Sequence, residues 1–223
     1  LFFVSQKIYD YYLYYEQKEG IFMAKVAVIY YSQTGTTFQL AQAVEEGARE
    51  AGAETRLLKV EETASDAAIE KNEGWKKQRD ETSEIKEATN NDLEWADAII
   101  FGTPTRYGLP SAQLKNFIDK TGGLWAKGAL VNKIGSSFTS SATAHGGQEA
   151  TILAINTAFY HWGMLIVSPG YADPIQFQAG NPYGVSFTSN NAQLDPDETA
   201  LSAARFQGRR VAEITAQFIN GKK

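Results

Sequence analysis

Residues 28–44 read Val-Ile-Tyr-Tyr-Ser-Gln-Thr-Gly-Thr-Thr-Phe-Gln-Leu-Ala-Gln-Ala-Val, and this stretch decides the fold. An apolar, β-branched and aromatic run over 26–31 breaks into small hydroxyl residues and one glycine. Beyond them Phe38, Ala41, Val44 and Ala48 recur at a helical period. The order is strand, tight loop, helix N-terminus. At such a junction free backbone N–H groups and the positive end of a helix dipole face one point, where an anion fits. Ser32, Thr34, Thr36 and Thr37 add hydroxyl donors, and Gly35 permits the close turn. The loop carries no Lys or Arg, so a phosphate monoester held by neutral donors is expected. Neither the Gly-Lys-[Ser/Thr] ending of a nucleoside triphosphate loop nor Gly-x-Gly-x-x-Gly is present there.

The pattern on either side of this junction extends the reading. The first helix runs to about Ala51, with Gly52 as its stop, and 55–60 reads as a short second strand. Residues 61–92 are polar and read as a solvated insertion without chemistry. Residues 95–102 form a buried third strand, 134–139 a fourth and 165–167 a fifth. Helices open at Pro110-Ser111, span 148–162 and begin again near Pro196. Strands alternating with helices imply right-handed βαβ units. The expected fold class is therefore α/β, a doubly wound parallel five-stranded sheet; with Tyr30, Ser32, Gly35 and Thr37 at its first junction the chain resembles the flavodoxin-like superfamily, which implies the strand order 2-1-3-4-5. The first, third and fourth strands each end in a polar, glycine-bearing loop. Strand C-termini share one edge of such a sheet, and ligands bind where strand order reverses, so the three loops should converge on one site.

Composition narrows the function. With 43% hydrophobic residues, 223 residues suit one sizeable domain. No apolar run approaches the ~20 residues of a membrane span. Against 21 basic residues stand 26 acidic ones, giving a net charge of −5 with no basic cluster, which argues against nucleic-acid binding. The absence of cysteine excludes disulfides, thiolate catalysis and cysteine-ligated metal, and two histidines, His145 and His161, show no metal-ligand spacing. Residues 1–22 form a tyrosine-rich leader without the marks of a secretory signal. They are expected to be an extension outside the fold, with one flavodoxin-like domain over 23–223; an arm packing on a partner subunit is the alternative. A cytoplasmic location is expected.

The loop after the third strand, Phe-Gly-Thr-Pro-Thr-Arg-Tyr-Gly over 101–108, has features that an isoalloxazine ring needs beside it. Pro104 and Gly108 fix the backbone, Arg106 can face the electron-rich pyrimidine end, and Tyr107 offers an aromatic wall. In the first loop, Tyr30, Ser32, Gly35 and Thr37 match the FMN-phosphate loop of the flavodoxin-like superfamily. Adding Thr-Gly-Gly-Leu-Trp-Ala at 121–126, Gly-Gly-Gln-Glu at 146–149 and Tyr-His-Trp-Gly-Met at 160–164, the chain resembles the WrbA family closely, over 23–221.

That resemblance implies FMN-phosphate contacts from Ser32, Gln33, Thr34, Gly35, Thr36 and Thr37, and isoalloxazine contacts from Thr105, Arg106 and Tyr107. It implies further FMN contacts from Ser140, Ser141, Ala142, Thr143, Ala144, His145 and His161, with Trp125 at the substrate face. From the residues alone His161 reads as a helix-end imidazole, His145 as a backbone-contact position, and Trp125 equally as a core or interface aromatic. Two departures from the family stand out. Ala142 occupies a position where the family tends to have glycine, and Trp162 enlarges the corner beside His161. The activity implied is two-electron reduction of quinones by NADH or NADPH through bound FMN, by ping-pong exchange on one flavin face, in a homotetramer. A flavodoxin-type electron carrier and a flavin-bound regulatory protein are the alternatives.

Overall fold

The computed structural model describes residues 22–221; the expectations for the leader lie outside the described residues, except at Phe22. The backbone of Phe22 pairs with the Asn220 side chain near the end of the last helix.

β1 (Lys25–Tyr30) occupies the middle of the sheet, and its composition explains why. Val26, Ala27, Val28, Ile29 and Tyr30 are all at or below 1% exposure, so both faces of the strand are covered. β2 (Glu54–Lys59) and β3 (Ala98–Pro104) flank it in parallel. β4 (Ile134–Ser141) and β5 (Leu165–Ile166) continue beyond β3, giving β2-β1-β3-β4-β5, the expected order. One strand exceeds the expected five: β6 (Ser186–Thr188) pairs with Thr139–Ser141 of β4, while β5 takes Ile134 and Gly135 on the same strand.

Among the described residues the helices are α1 (Thr36–Glu50), α2 (Asp66–Ile69), α3 (Glu73–Glu81), α4 (Asn90–Trp95) and α5 (Ala112–Asp119). They continue with α6 (Gly122–Ala126), α7 (Gln148–His161), α8 (Pro174–Ala179) and α9 (Glu198–Gly221). Strand alternation divides the core between two faces. Val26, Val28, Tyr30, Ile100 and Phe138 pack with α1 and α9. Ala27, Ile29, Ile99 and Phe101 pack with Leu93, Leu114, Phe117, Ile155 and Phe159. On the first face α1 and α9 cross in backbone contact. A Cβ on Gly47 would lie 1.9 Å from the Arg205 carbonyl oxygen, and one on Gly208 would lie 1.8 Å from that of Val44.

Three expectations change. The third strand begins at Ala98, because Trp95 closes α4 and lies under the Arg56 guanidinium, 3.8 Å from its ring centroid. Residues 61–92 are not simply solvated: Ile69, Gln78 and Thr82 are buried, and the segment folds into α2, α3 and the first half of α4. Trp162 does not enlarge an access corner; it is buried edge-on against Phe101 and Phe159.

Candidate functional site

The C-terminal ends of β1, β3 and β4 surround a cavity of about 610 Å³. β1 and β3 lie at the reversal of strand order, where the first crossover turns to one side of the sheet and the next to the other. The chain leaves β1 through Tyr31, whose N–H donates to the Gly102 carbonyl, and turns sharply at Gly35 with φ 102°. No side chain caps α1, so its first-turn N–H groups retain free hydrogen-bonding capacity. Ser32, Gln33, Thr34, Thr36 and Thr37 line the cavity. The buried Thr37 hydroxyl lies 2.8 Å from the Ser140 hydroxyl, tying the first loop to the end of β4.

From β3, Pro104, Thr105, Arg106 and Tyr107 line the cavity. Thr105 organises this loop: its N–H donates to the Ser140 carbonyl, and its hydroxyl accepts from the Gly108 N–H. Tyr107 holds φ 56° and is fully exposed. Arg106 is the only cation among the lining residues, and its guanidinium donates to Gln33 Oε1 at 2.5 Å and to the Thr105 carbonyl at 3.0 Å. From β4 come Ser140, Ser141, Ala142 and Thr143, with Gly146 beyond them. Ser141 accepts from Gln148 and donates to the Thr143 carbonyl. Ala142 is not among the residues of positive φ, so alanine carries no backbone penalty where the family tends to have glycine.

Gly35, Ala144 and His145 belong to these loops without lining the cavity. Trp125 and His161 do not line it either. They meet each other on the outer surface, the Trp125 indole donating to the His161 carbonyl at 3.2 Å, and both side chains are exposed.

Five lining residues were not among the expected contacts: Asn72 from the insertion, Gly146 just past the expected loop residues, and Ser189, Asn191 and Ala192 after β6. Asn190, Asn191 and Ala192 hold φ of 47°, 55° and 62° in succession, a left-handed turn that Ser189 anchors by donating to the Ser141 carbonyl. The Ser-Asn-Asn sequence was the available signal, since asparagine tolerates this region best among residues with a side chain. Asn72 gave none, because its place depends on how the insertion folds back.

Beside the loop, Glu62 accepts a hydrogen bond from the Tyr31 hydroxyl at 2.9 Å. Burial, with the neighbouring Glu62 charge, pushes the Tyr31 phenol well above its ordinary range. Burial acts to raise the Glu62 carboxyl as well, but hydrogen bonds from Ala64, Gln113, Tyr31 and Trp75 outweigh it and hold the group below its ordinary value.

A doubly wound parallel sheet in the order β2-β1-β3-β4-β5, with a polar cavity at the C-terminal ends of its central strands, defines a flavodoxin-like protein. The pattern of the NADPH-dependent FMN reductase family matches residues 24–177. A Deinococcus radiodurans protein named NAD(P)H dehydrogenase (quinone) is 44% identical over 196 residues, 87% of this chain and 97% of its own length. A Sinorhizobium fredii protein of the same name is 48% identical over 201 residues, covering 87% and 98%. Among solved structures, a WrbA-like flavodoxin from Agrobacterium tumefaciens superposes with a TM-score of 0.62 at 28% identity, covering 87% of this chain and 98% of that one. The chain belongs to the NADPH-dependent FMN reductase family and, within it, to the WrbA-like NAD(P)H dehydrogenases (quinone).

Proposed function

We propose that this protein is an FMN-dependent NAD(P)H:quinone oxidoreductase that converts quinones to hydroquinones by two-electron transfer. The observation that carries this reading is the convergence of three loops, far apart in sequence, on one polar cavity at an uncapped helix N-terminus. The donor set suits a flavin mononucleotide. Ser32, Thr34, Thr36, Thr37 and the α1 N–H groups hold the phosphate, and Thr105, Arg106, Tyr107 and the 140–143 loop flank the ring system. When bound, FMN supplies the capacity to accept a hydride from reduced nicotinamide and return two electrons to a quinone.

The chain's own contribution is binding, orientation and charge. Arg106 is the one lining cation, so it favours electron density arriving beside it, and Gln33 keeps its guanidinium in place. Nicotinamide and quinone are read as using one face in turn, which makes the kinetics ping-pong. Trp125 and His161 serve this site across a subunit boundary in a homotetramer. That reading is supported by their joint exposure outside the cavity of their own chain and by the exposed Tyr160 beside them.

The test is the flavin content of the purified protein, followed by anaerobic titration with NADH and NADPH and reoxidation by benzoquinone. Stoichiometric FMN, bleaching by a nicotinamide and recovery on quinone addition are expected. A colourless protein that takes up no FMN refutes the proposal.

A further inference from the structure

The insertion between β2 and α4, which lines the cavity through Asn72, is tied to the elements beside it by the carboxylate of Glu62. Glu62 gathers five donors. Its Oε2 accepts from the Tyr31 hydroxyl at 2.9 Å and from the Trp75 indole N–H at 3.0 Å. Its Oε1 accepts from Gln113 Nε2 at 2.7 Å and from the backbone N–H groups of Thr63 and Ala64 at 2.9 and 3.0 Å. Every partner is a donor, and none is a formal cation. Three of them sit on different elements: Tyr31 directly precedes the 32–37 loop, Trp75 is on α3 and Gln113 is on α5.

The helix that Glu62 holds leans on the loop. A Cβ on Gly74 would lie 3.5 Å from the Thr34 methyl, and one on Gly35 would lie 3.2 Å from the side-chain Oε1 of Gln78. Gln78 is buried on α3, and Asn72, the N-cap of that helix, lines the cavity and accepts from the Trp75 N–H. Through Tyr31 and Trp75, Glu62 therefore holds α3 beside the loop, where Gly74 and Gln78 approach Thr34 and Gly35.

We infer that Glu62 is a positioning residue for the phosphate cradle: its ionised carboxylate docks α3 against the 32–37 loop and fixes where the loop's donors point. The inference rests on the FMN reading above. A cradle without Lys or Arg draws its affinity from several neutral donors aimed together, so whatever holds the loop still governs binding. The carboxylate is chemically specific to this place. An amide would turn its own N–H groups against donors, whichever oxygen it replaced. Hydrogen bonding that outweighs burial keeps Glu62 ionised at neutral pH, the form that all five donors require.

The test uses Glu62→Gln and Trp75→Phe in the full chain, with FMN and riboflavin affinities of the apoprotein measured by flavin fluorescence alongside the Tm. Glu62→Gln is expected to weaken FMN by about tenfold or more while riboflavin changes by less than about threefold, since only FMN carries the phosphate. Trp75→Phe keeps the packing, removes one donor and should shift the same ratio by a smaller factor. It decides the question if Glu62→Gln does not fold. A fall in Tm with the FMN-to-riboflavin ratio unchanged in both variants overturns the inference, leaving Glu62 a purely structural residue. A wild-type protein that binds FMN no better than riboflavin overturns instead the phosphate reading on which the inference rests.

Discussion

Replacing Thr34 and Thr37 together by valine tests the cradle most directly. Both line the cavity, and valine nearly reproduces threonine's shape while removing the hydroxyl. A hydrogen bond to a charged group contributes about 1.5–3 kcal/mol, so two lost donors to phosphate cost about 3 kcal/mol at the lower end. The lower end is appropriate because neighbouring donors on one anion are not additive. That corresponds to roughly a hundredfold loss of FMN affinity. Thr37 has a second role. It is 1% exposed and its hydroxyl lies 2.8 Å from that of Ser140, so valine also deprives a buried hydroxyl of its partner. This adds roughly 1–3 kcal/mol of destabilisation, which appears in the Tm and burdens both flavins alike. Flavin fluorescence titration of the apoprotein with FMN and with riboflavin separates the two effects. Selective loss of FMN supports the cradle. Equal loss of both ligands would show that the hydroxyls only hold the loop's shape, and the phosphate assignment would fail.

Other outcomes follow from the same geometry. Trp125→Ala should lower kcat/KM for quinone by up to about tenfold, the scale of an aromatic stacking contact, with FMN affinity nearly constant; unchanged half-reactions in a dissociated oligomer would make Trp125 an interface residue. Gly208→Ala drives a methyl to 1.8 Å from the Val44 carbonyl oxygen, so α1 and α9 must separate. A loss of about 3 kcal/mol is expected, a fall of about 6–12 °C in Tm by calorimetry. For Asp92, burial works to raise its pKa, but hydrogen bonds from Thr89 and the Arg56 pair outweigh it and lower the group. A carboxyl lowered on folding stabilises above its unfolded pKa of about 3.9 and loses that contribution as pH falls through the folded value. Asp92→Asn should therefore lower the Tm at pH 7, with the gap to wild type closing toward pH 3; a pH-independent gap would contradict the argument.

Elements whose pattern stands alone were legible in the sequence. The continuous apolar run of β1, followed by hydroxyls, glycine and a helical period, could be read locally because burial on both faces and an open helix end each leave a residue signature. The convergence of the 32–37, 104–107 and 140–143 loops followed from strand order. What escaped depends on partners distant in the chain. β6 is three residues long and exists because β5 leaves the C-terminal half of β4 unpaired on that edge. Gln78 looks like a solvent residue on a charged helix, yet it is 4% exposed against the first loop, a fact set by tertiary docking of α3. Trp162 read as site furniture from its neighbour His161, but adjacent residues at a helix end point in different directions, and the indole turns into the core.

The backbone-to-backbone crossing of α1 and α9 also dictates an order of events during synthesis. The first βα unit emerges from the ribosome early, but the apolar face behind it is covered by Ala203, Ala204, Val211 and Ala212 of the last helix. The 189–192 wall of the cavity likewise comes late in the chain. A nascent chain therefore presents the 32–37 loop long before it can form the chamber around it, and its uncovered sheet face is vulnerable to aggregation throughout that interval. A chain that stops before α9 leaves that face uncovered and should not remain dispersed.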